Sequence, residues 1–148
     1  GAKAAGLKVG LYFFTQAVTE AEAVEEASMC VNLAKTFGGV SYPIFIDTES
    51  AGGSGRADGL SKSQRTAVCR AFCQTVQNSG YTAGVYASKS WFTNKVDYNQ
   101  LNGYRIWLAQ YYSKATLAGR YDLWQYTDKG SIAGVPGNVD LNMSYLGY

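Results

Sequence analysis

Hydrophobic and polar positions along the chain switch between a two-residue and a 3.6-residue period. Val9-Gly-Leu-Tyr-Phe-Phe14 is a short apolar run that predicts a buried strand. Thr19-Glu-Ala-Glu22 then has the form of a capping box, and Val24, Ala27, Val31 and Ala34 recur at helical spacing up to Gly38-Gly39. Tyr42-Pro-Ile-Phe-Ile-Asp-Thr-Glu49 reads as a second strand, with Pro43 tolerated near its start. A loop from Gly52 to Gly59 leads to a second capping box, Ser61-Lys-Ser-Gln64. The helix behind it carries Val68, Phe72 and Val76 before Gly80.

Tyr81 to Ala87 predicts a third strand, Arg105 to Tyr111 and Tyr121 to Tyr126 two more, and Val139 to Met143 a last short one. Segments 89–104 and 127–138 read as long loops, the first with room for one helical turn. No internal repeat or interdomain linker interrupts the 148 residues, so one domain is expected. Strands alternating with helices predict a parallel sheet or barrel, and the late strand-to-strand succession predicts that regular alternation breaks down. Gly1-Ala-Lys-Ala-Ala-Gly6 has the form of a last helical turn closed by Gly6. One turn does not sustain a helix, so the chain is expected to start within a larger αβ pattern.

Composition narrows the chemistry. Hydrophobic residues make up 47% and charged residues 16% of the chain, a globular balance, and 13 basic against 11 acidic residues give a net charge of 13 − 11 = +2. The charges form no basic block, so nucleic acid is not expected as a partner. No apolar run approaches the roughly 20 residues of a membrane span, and no basic-then-apolar leader opens the chain. The chain has no histidine, which excludes Ser-His-Asp and Cys-His catalysis and histidine-containing zinc sites. Acid–base work therefore falls to Asp, Glu, Tyr, Lys or Cys. Cys30, Cys69 and Cys73 fall on helices and are expected as small apolar core positions.

The main chemical signal is Asp47-Thr48-Glu49 at the end of an apolar strand. Residues i and i+2 of a strand share a face, with Cα atoms roughly 6.5 Å apart. In parallel α/β folds such strand ends face the active site. Two carboxylates there oppose each other's ionisation, so one is expected to hold its proton above the usual range, as an acid in glycosidic cleavage must. The Gly-rich loop fits neither phosphate-binding pattern and is expected to be an ordinary βα loop.

Aromatics form the second constellation, since 12 Tyr, 6 Phe and 3 Trp suit either a β-rich core or a surface that stacks on sugars, bases or a protein. Tyr12, Tyr86, Trp107, Gln110, Tyr111, Trp124, Gln125 and Tyr126 recur near strand ends, mixed with amides as sugar recognition requires, and core packing is expected for about half of them. Trp91-Phe92 offers a further stacking edge from a loop, and Phe13, Phe14 and Phe45 are assigned to the core. Asp140 adds an acid on the last strand, at a cleft rim or a turn.

The chain resembles the glycoside hydrolase family 25 lysozymes through Gly6–Phe14, Tyr42–Glu49, Gly84-Val-Tyr-Ala87, Ile106–Tyr111, Leu123-Trp-Gln-Tyr126 and Gly134–Asn142, in the family's order. The resemblance implies an irregular, flattened α/β barrel with fewer helices than strands, here a single incomplete catalytic domain over residues 1–148. It implies hydrolysis of the β-1,4 bond between N-acetylmuramic acid and N-acetylglucosamine, with Glu49 as catalytic acid and Asp47 tuning it and orienting the substrate's N-acetyl group. It also implies a substrate surface of Tyr12, Tyr86, Trp107, Gln110, Trp124, Gln125 and Asp140, with no metal or organic cofactor. Peptidoglycan strands are the implied partner and the cell wall the implied place of action, with export unspecified.

The family's opening strand, with an active-site Asp, its first helix and its second strand have no counterpart here. Exposed strand edges and association of copies through them are therefore expected. A non-catalytic peptidoglycan-binding domain, or an inactive fragment, is the alternative to a working hydrolase.

Overall fold

The computed structural model describes residues 1–147. Its strands are β1 (Leu11–Phe14), β2 (Ile44–Asp47), β3 (Ala83–Ser88), β4 (Arg105–Ala109), β5 (Leu123–Gly130) and β6 (Val139–Ser144), and they lie in a single sheet in chain order. β1 to β5 are parallel and β6 returns antiparallel to β5. Helices α1 (Glu20–Thr36) and α2 (Lys62–Asn78) make the first two crossovers, and the short α3 (Lys89–Asn94) the third. Both expected helix starts are present. Thr19 Oγ1 accepts from the Glu22 N–H at 3.2 Å, and Ser61 and Gln64 form the reciprocal box. Gly6 closes a 3-10 turn over Lys3–Ala5 at φ 77°, and Lys3 Nζ donates to the carbonyls of Phe37, Gly38 and Gly39 at the negative end of α1.

Strand parity divides the sheet into two faces. Ile44, Ile46, Val85, Ile106 and Leu108 point to the helices and pack with Ala23, Ala27, Val31, Val68, Phe72 and Val76. The three cysteines are buried and free, Cys69 and Cys73 on α2 within this core, and burial pushes the Cys69 thiol up to about 12. The opposite face carries Tyr12, Phe45, Asp47, Tyr86, Trp107 and Gln125, and no helix of the described residues covers it. It curls. Tyr12 and Trp107 lie three strand spacings apart, roughly 14 Å in a flat sheet, yet their ring centroids are 6.3 Å apart. The result is a half-barrel with few helices, in line with the irregular α/β barrel that the family resemblance implies.

Several expectations change. β1 is an edge strand and only half buried, so Phe14, on the uncovered face, is exposed instead of lying in the core. On α1 the buried stripe runs through Ala23 and Cys30, and Val24 is turned outward. The 89–104 segment holds α3 and a 3-10 turn (Tyr98–Leu101) in place of a loop. Phe92 is buried against Tyr98, and Trp91 faces Arg65, so neither forms a free stacking edge. The 127–138 loop starts late, because β5 continues to Gly130 through two irregularities that keep it paired with β6. Phe45 is buried as expected, but on the uncovered face.

Phe45 depends on a glycine. Its ring lies across Gly84, where an added Cβ would come within 2.3 Å of Cε1 and 2.8 Å of the Arg105 carbonyl. From there the ring meets Trp107 edge-on at 5.2 Å. Gly84→Ala is expected to lower stability by about 1–3 kcal/mol through this overlap, read by urea denaturation, and to shift tryptophan fluorescence as Trp107 loses its support.

Candidate active site

The C-terminal ends of β2, β3, β4 and β5 meet β6 around a cleft of about 140 Å³ lined by Tyr12, Asp47, Glu49, Tyr86, Trp107, Gln125 and Asp140. Seven of the nine site residues expected from the sequence are therefore brought together. Parity explains the acids. Thr48, between them, turns its side chain to the helix side, so Asp47 and Glu49 both face the cleft.

Their environments differ. Asp47 is buried, and its Oδ1 meets no donor among the described residues. Burial, reinforced by the Glu49 charge, pushes its pKa up to about 7. Glu49 is exposed at the cleft mouth and is also raised, first by burial of its carboxyl and then by Asp140. The expected proton retention is thus strongest on Asp47, because that carboxyl lies deeper. Asp140 reaches the site only because the sheet curls β6 back toward β2.

Trp107 forms the floor. Tyr86 meets it edge-on at 4.8 Å, and its indole N–H donates to Asn142 Oδ1 at 2.7 Å. Gln125 Oε1 accepts from the hydroxyls of both Tyr86 and Tyr111 at 2.8 Å. This fixes the amide orientation, and among the described residues Gln125 Nε2 donates to no protein group. Burial and the neighbouring Tyr111, Glu49 and Asp47 raise the Tyr86 hydroxyl far above its usual range, so it stays a donor. Toward the strand N-termini the same face continues as an apolar groove of about 350 Å³ bounded by Leu11, Phe45, Trp107 and Leu123.

Gln110 and Trp124 do not line the cleft. Gln110 is buried and uses both ends of its amide on Thr116, holding the loop after β4. Trp124 has the opposite parity to Gln125, packs toward the helix side and donates to the Gln110 carbonyl at 2.8 Å. Two further residues contribute: Tyr111, one of the aromatics the sequence places near the strand ends, and Asn142, to which the sequence assigns no role. Both obey the i+2 rule, Tyr111 continuing the parity of Trp107 and Asn142 that of Asp140. Among the described residues no cluster of three or more His, Cys, Asp or Glu is placed to hold a metal ion.

The Asp47 shift has a thermodynamic sign. A carboxyl whose folded pKa lies above its ordinary 3.8 adds stability that is complete below pH 4 and is lost as pH rises toward 7. That loss is on the order of 4 kcal/mol. Urea denaturation between pH 4 and 8 is expected to show wild-type stability falling through this window, and Asp47→Asn is expected to flatten that part of the profile.

Comparison with known proteins supplies the lineage. Residues 1–135 match the family model described as glycosyl hydrolases family 25. The chain is 29% identical over 143 residues to the autolytic lysozyme of Clostridium acetobutylicum, covering 96% of this chain and 41% of that protein. The catalytic domain of endolysin ply40, from bacteriophage P40 of Listeria monocytogenes, superposes with a TM-score of 0.77 at 26% identity. That match covers 96% of this chain and 69% of the endolysin domain. The modular autolysin LytC of Streptococcus pneumoniae shares the fold, with a TM-score of 0.80 at 24% identity over 95% of this chain and 34% of LytC. The chain thus spans less than half the length of the lysozyme and autolysin it matches. With the family model matched along nearly all of it, the chain belongs to glycosyl hydrolases family 25.

Proposed function

We propose that the cleft is a muramidase-type site that hydrolyses the β-1,4 bond between N-acetylmuramic acid and N-acetylglucosamine in peptidoglycan. The observation that carries this reading is the convergence of Asp47, Glu49 and Asp140 with Tyr12, Tyr86, Trp107 and Gln125 in one cleft at the strand ends. Glu49, exposed at the mouth with a raised pKa, is the general acid. Its proton goes to the glycosidic oxygen as the C1–O bond breaks, and water supplies the hydroxyl that ends on C1. Asp47, deeper and with its pKa raised to about 7, assists by orienting the N-acetyl group beside the reacting carbon.

Sugar rings stack on Tyr12 and Trp107, while the free amide N–H of Gln125, oriented by the Tyr86 hydroxyl, offers a donor to the acetamido carbonyl. Asp140 adds to the burial that raises the Glu49 carboxyl above its ordinary range. Gln110 and Trp124 act behind this surface, holding the β4 end and its loop. The reaction needs no cofactor, and its place is the cell wall. Among the described residues no helix is long and apolar enough to cross a membrane.

A glycan-binding role without cleavage is the second reading. It is favoured by the position of Tyr12 on an edge strand, 64% exposed, which leaves that wall of the cleft open. The same open edge carries the proposed association of copies through β1, since unpaired strand edges recruit further strands. Release of reducing ends from purified peptidoglycan separates the two readings. Glu49→Gln is expected to lower it by about 10²–10⁴-fold, the contribution of a general acid, while folding and glycan binding persist. Saturable binding without reducing ends in the wild type selects the binding role.

A further inference from the structure

Arg65, on the first turn of α2, is the largest fully buried side chain, 1% exposed, and no carboxylate pairs with it among the described residues. Burying an unpaired cation is costly, so its contacts define what it holds. Its guanidinium donates through one NH₂ group to Thr48 Oγ1 at 3.2 Å. The other donates to the carbonyls of Ala57 at 2.6 Å and Asp58 at 3.4 Å. The indole face of Trp91 lies 4.2 Å from its central carbon, and Nε is left without a partner. One charge thus joins the end of β2, the loop that follows it, α2 and α3.

The loop is fastened at its other margin too. Arg56 pairs with Glu22 at 2.7 Å, and the Asp58 carboxylate accepts from the Ala51 and Gly55 N–H groups. Thr48 is the residue between the two acids, and its N–H is bonded to the Tyr86 carbonyl at 3.0 Å. A grip on its hydroxyl from the helix side sets the rotation of the strand end. It thereby sets the direction in which Glu49 leaves it.

We infer that Arg65 is a positioning residue for the acid pair, acting through Thr48 to hold Glu49 toward the cleft. The inference rests on the hydrolase reading for its kinetic arm only. Arg65→Met, Arg65→Lys and Thr48→Val are compared in the full chain. Both Arg65→Met and Thr48→Val are expected to lower kcat about 10²-fold with KM within twofold, the effect of a displaced reacting group. Their losses are expected to be less than additive in the double variant, and Arg65→Lys to restore part of the rate, since its ammonium keeps some of the same acceptors. Amide exchange over residues 48–58 is expected to quicken in the Arg65→Met and Thr48→Val chains while α1 stays protected.

Folded Thr48→Val and Arg65→Met chains with wild-type kcat would overturn the positioning role, provided Glu49→Gln is inactive. Unchanged exchange over 48–58 would overturn it whether or not the wild type cleaves glycan. Full hydrolysis by Glu49→Gln would instead remove the catalytic reading and leave the exchange experiment to decide on Arg65.

Discussion

The handedness of parallel crossovers is the constraint from which the rest of this molecule follows. Each βαβ connection packs back on the sheet in the right-handed sense. Here the strands advance in one direction, β1 to β4, so the helices α1 and α2 collect on one face. That face takes the aliphatic residues of β2, β3 and β4. The other face is left without a layer, and the sheet closes partly upon it. Aromatic rings, Tyr12, Phe45, Tyr86 and Trp107, fill the concavity with edge-to-face contacts that aliphatic side chains do not offer.

Curling also creates the electrostatics. Asp47 is pressed into the concave face, where none of the described residues donates to its inner oxygen, and Glu49 stands two residues on at the rim. Asp140 belongs to a strand at the far edge of the sheet, four strands from β2, and influences Glu49 only because the edges approach. Burial, reinforced by neighbouring charge, disfavours ionisation of both Asp47 and Glu49. Both carboxyls therefore hold their protons to higher pH than they would in water, the direction an acid-catalysed cleavage requires. The stability given up to hold Asp47 in that state is of the kind that functional sites carry.

Support for the acids comes from behind. Gly84 lets the Phe45 ring lie across it and meet Trp107 edge-on, and Gln110 and Trp124 tie the ends of β4 and β5 together. Arg65 reaches the acid-bearing strand through Thr48, which faces away from the cleft between the two acids. These groups never touch the cleft. They fix the directions in which the cleft residues leave their strands.

Much of this was legible in the sequence, and what was legible is local. The helix starts at Thr19 and Ser61 follow from side chains three residues apart, the strand runs from apolar period, and the shared face of Asp47 and Glu49 from the pleat. The resemblance to a known family added the order of the segments and the roles assigned to the acids. Tertiary structure decided the rest. Parity places Trp124 and Gln125 on opposite faces, but only helix packing says which face is covered, so Trp124 left the cleft and Gln125 stayed. Phe14 is apolar enough for a core, yet the open edge of the sheet leaves it no partner. The approach of Asp140 to Glu49 and the reach of Arg65 to Thr48 join residues 91 and 17 positions apart in the chain. Sequence period sets which side of a strand a residue occupies, whereas curl and crossover packing set what stands opposite it.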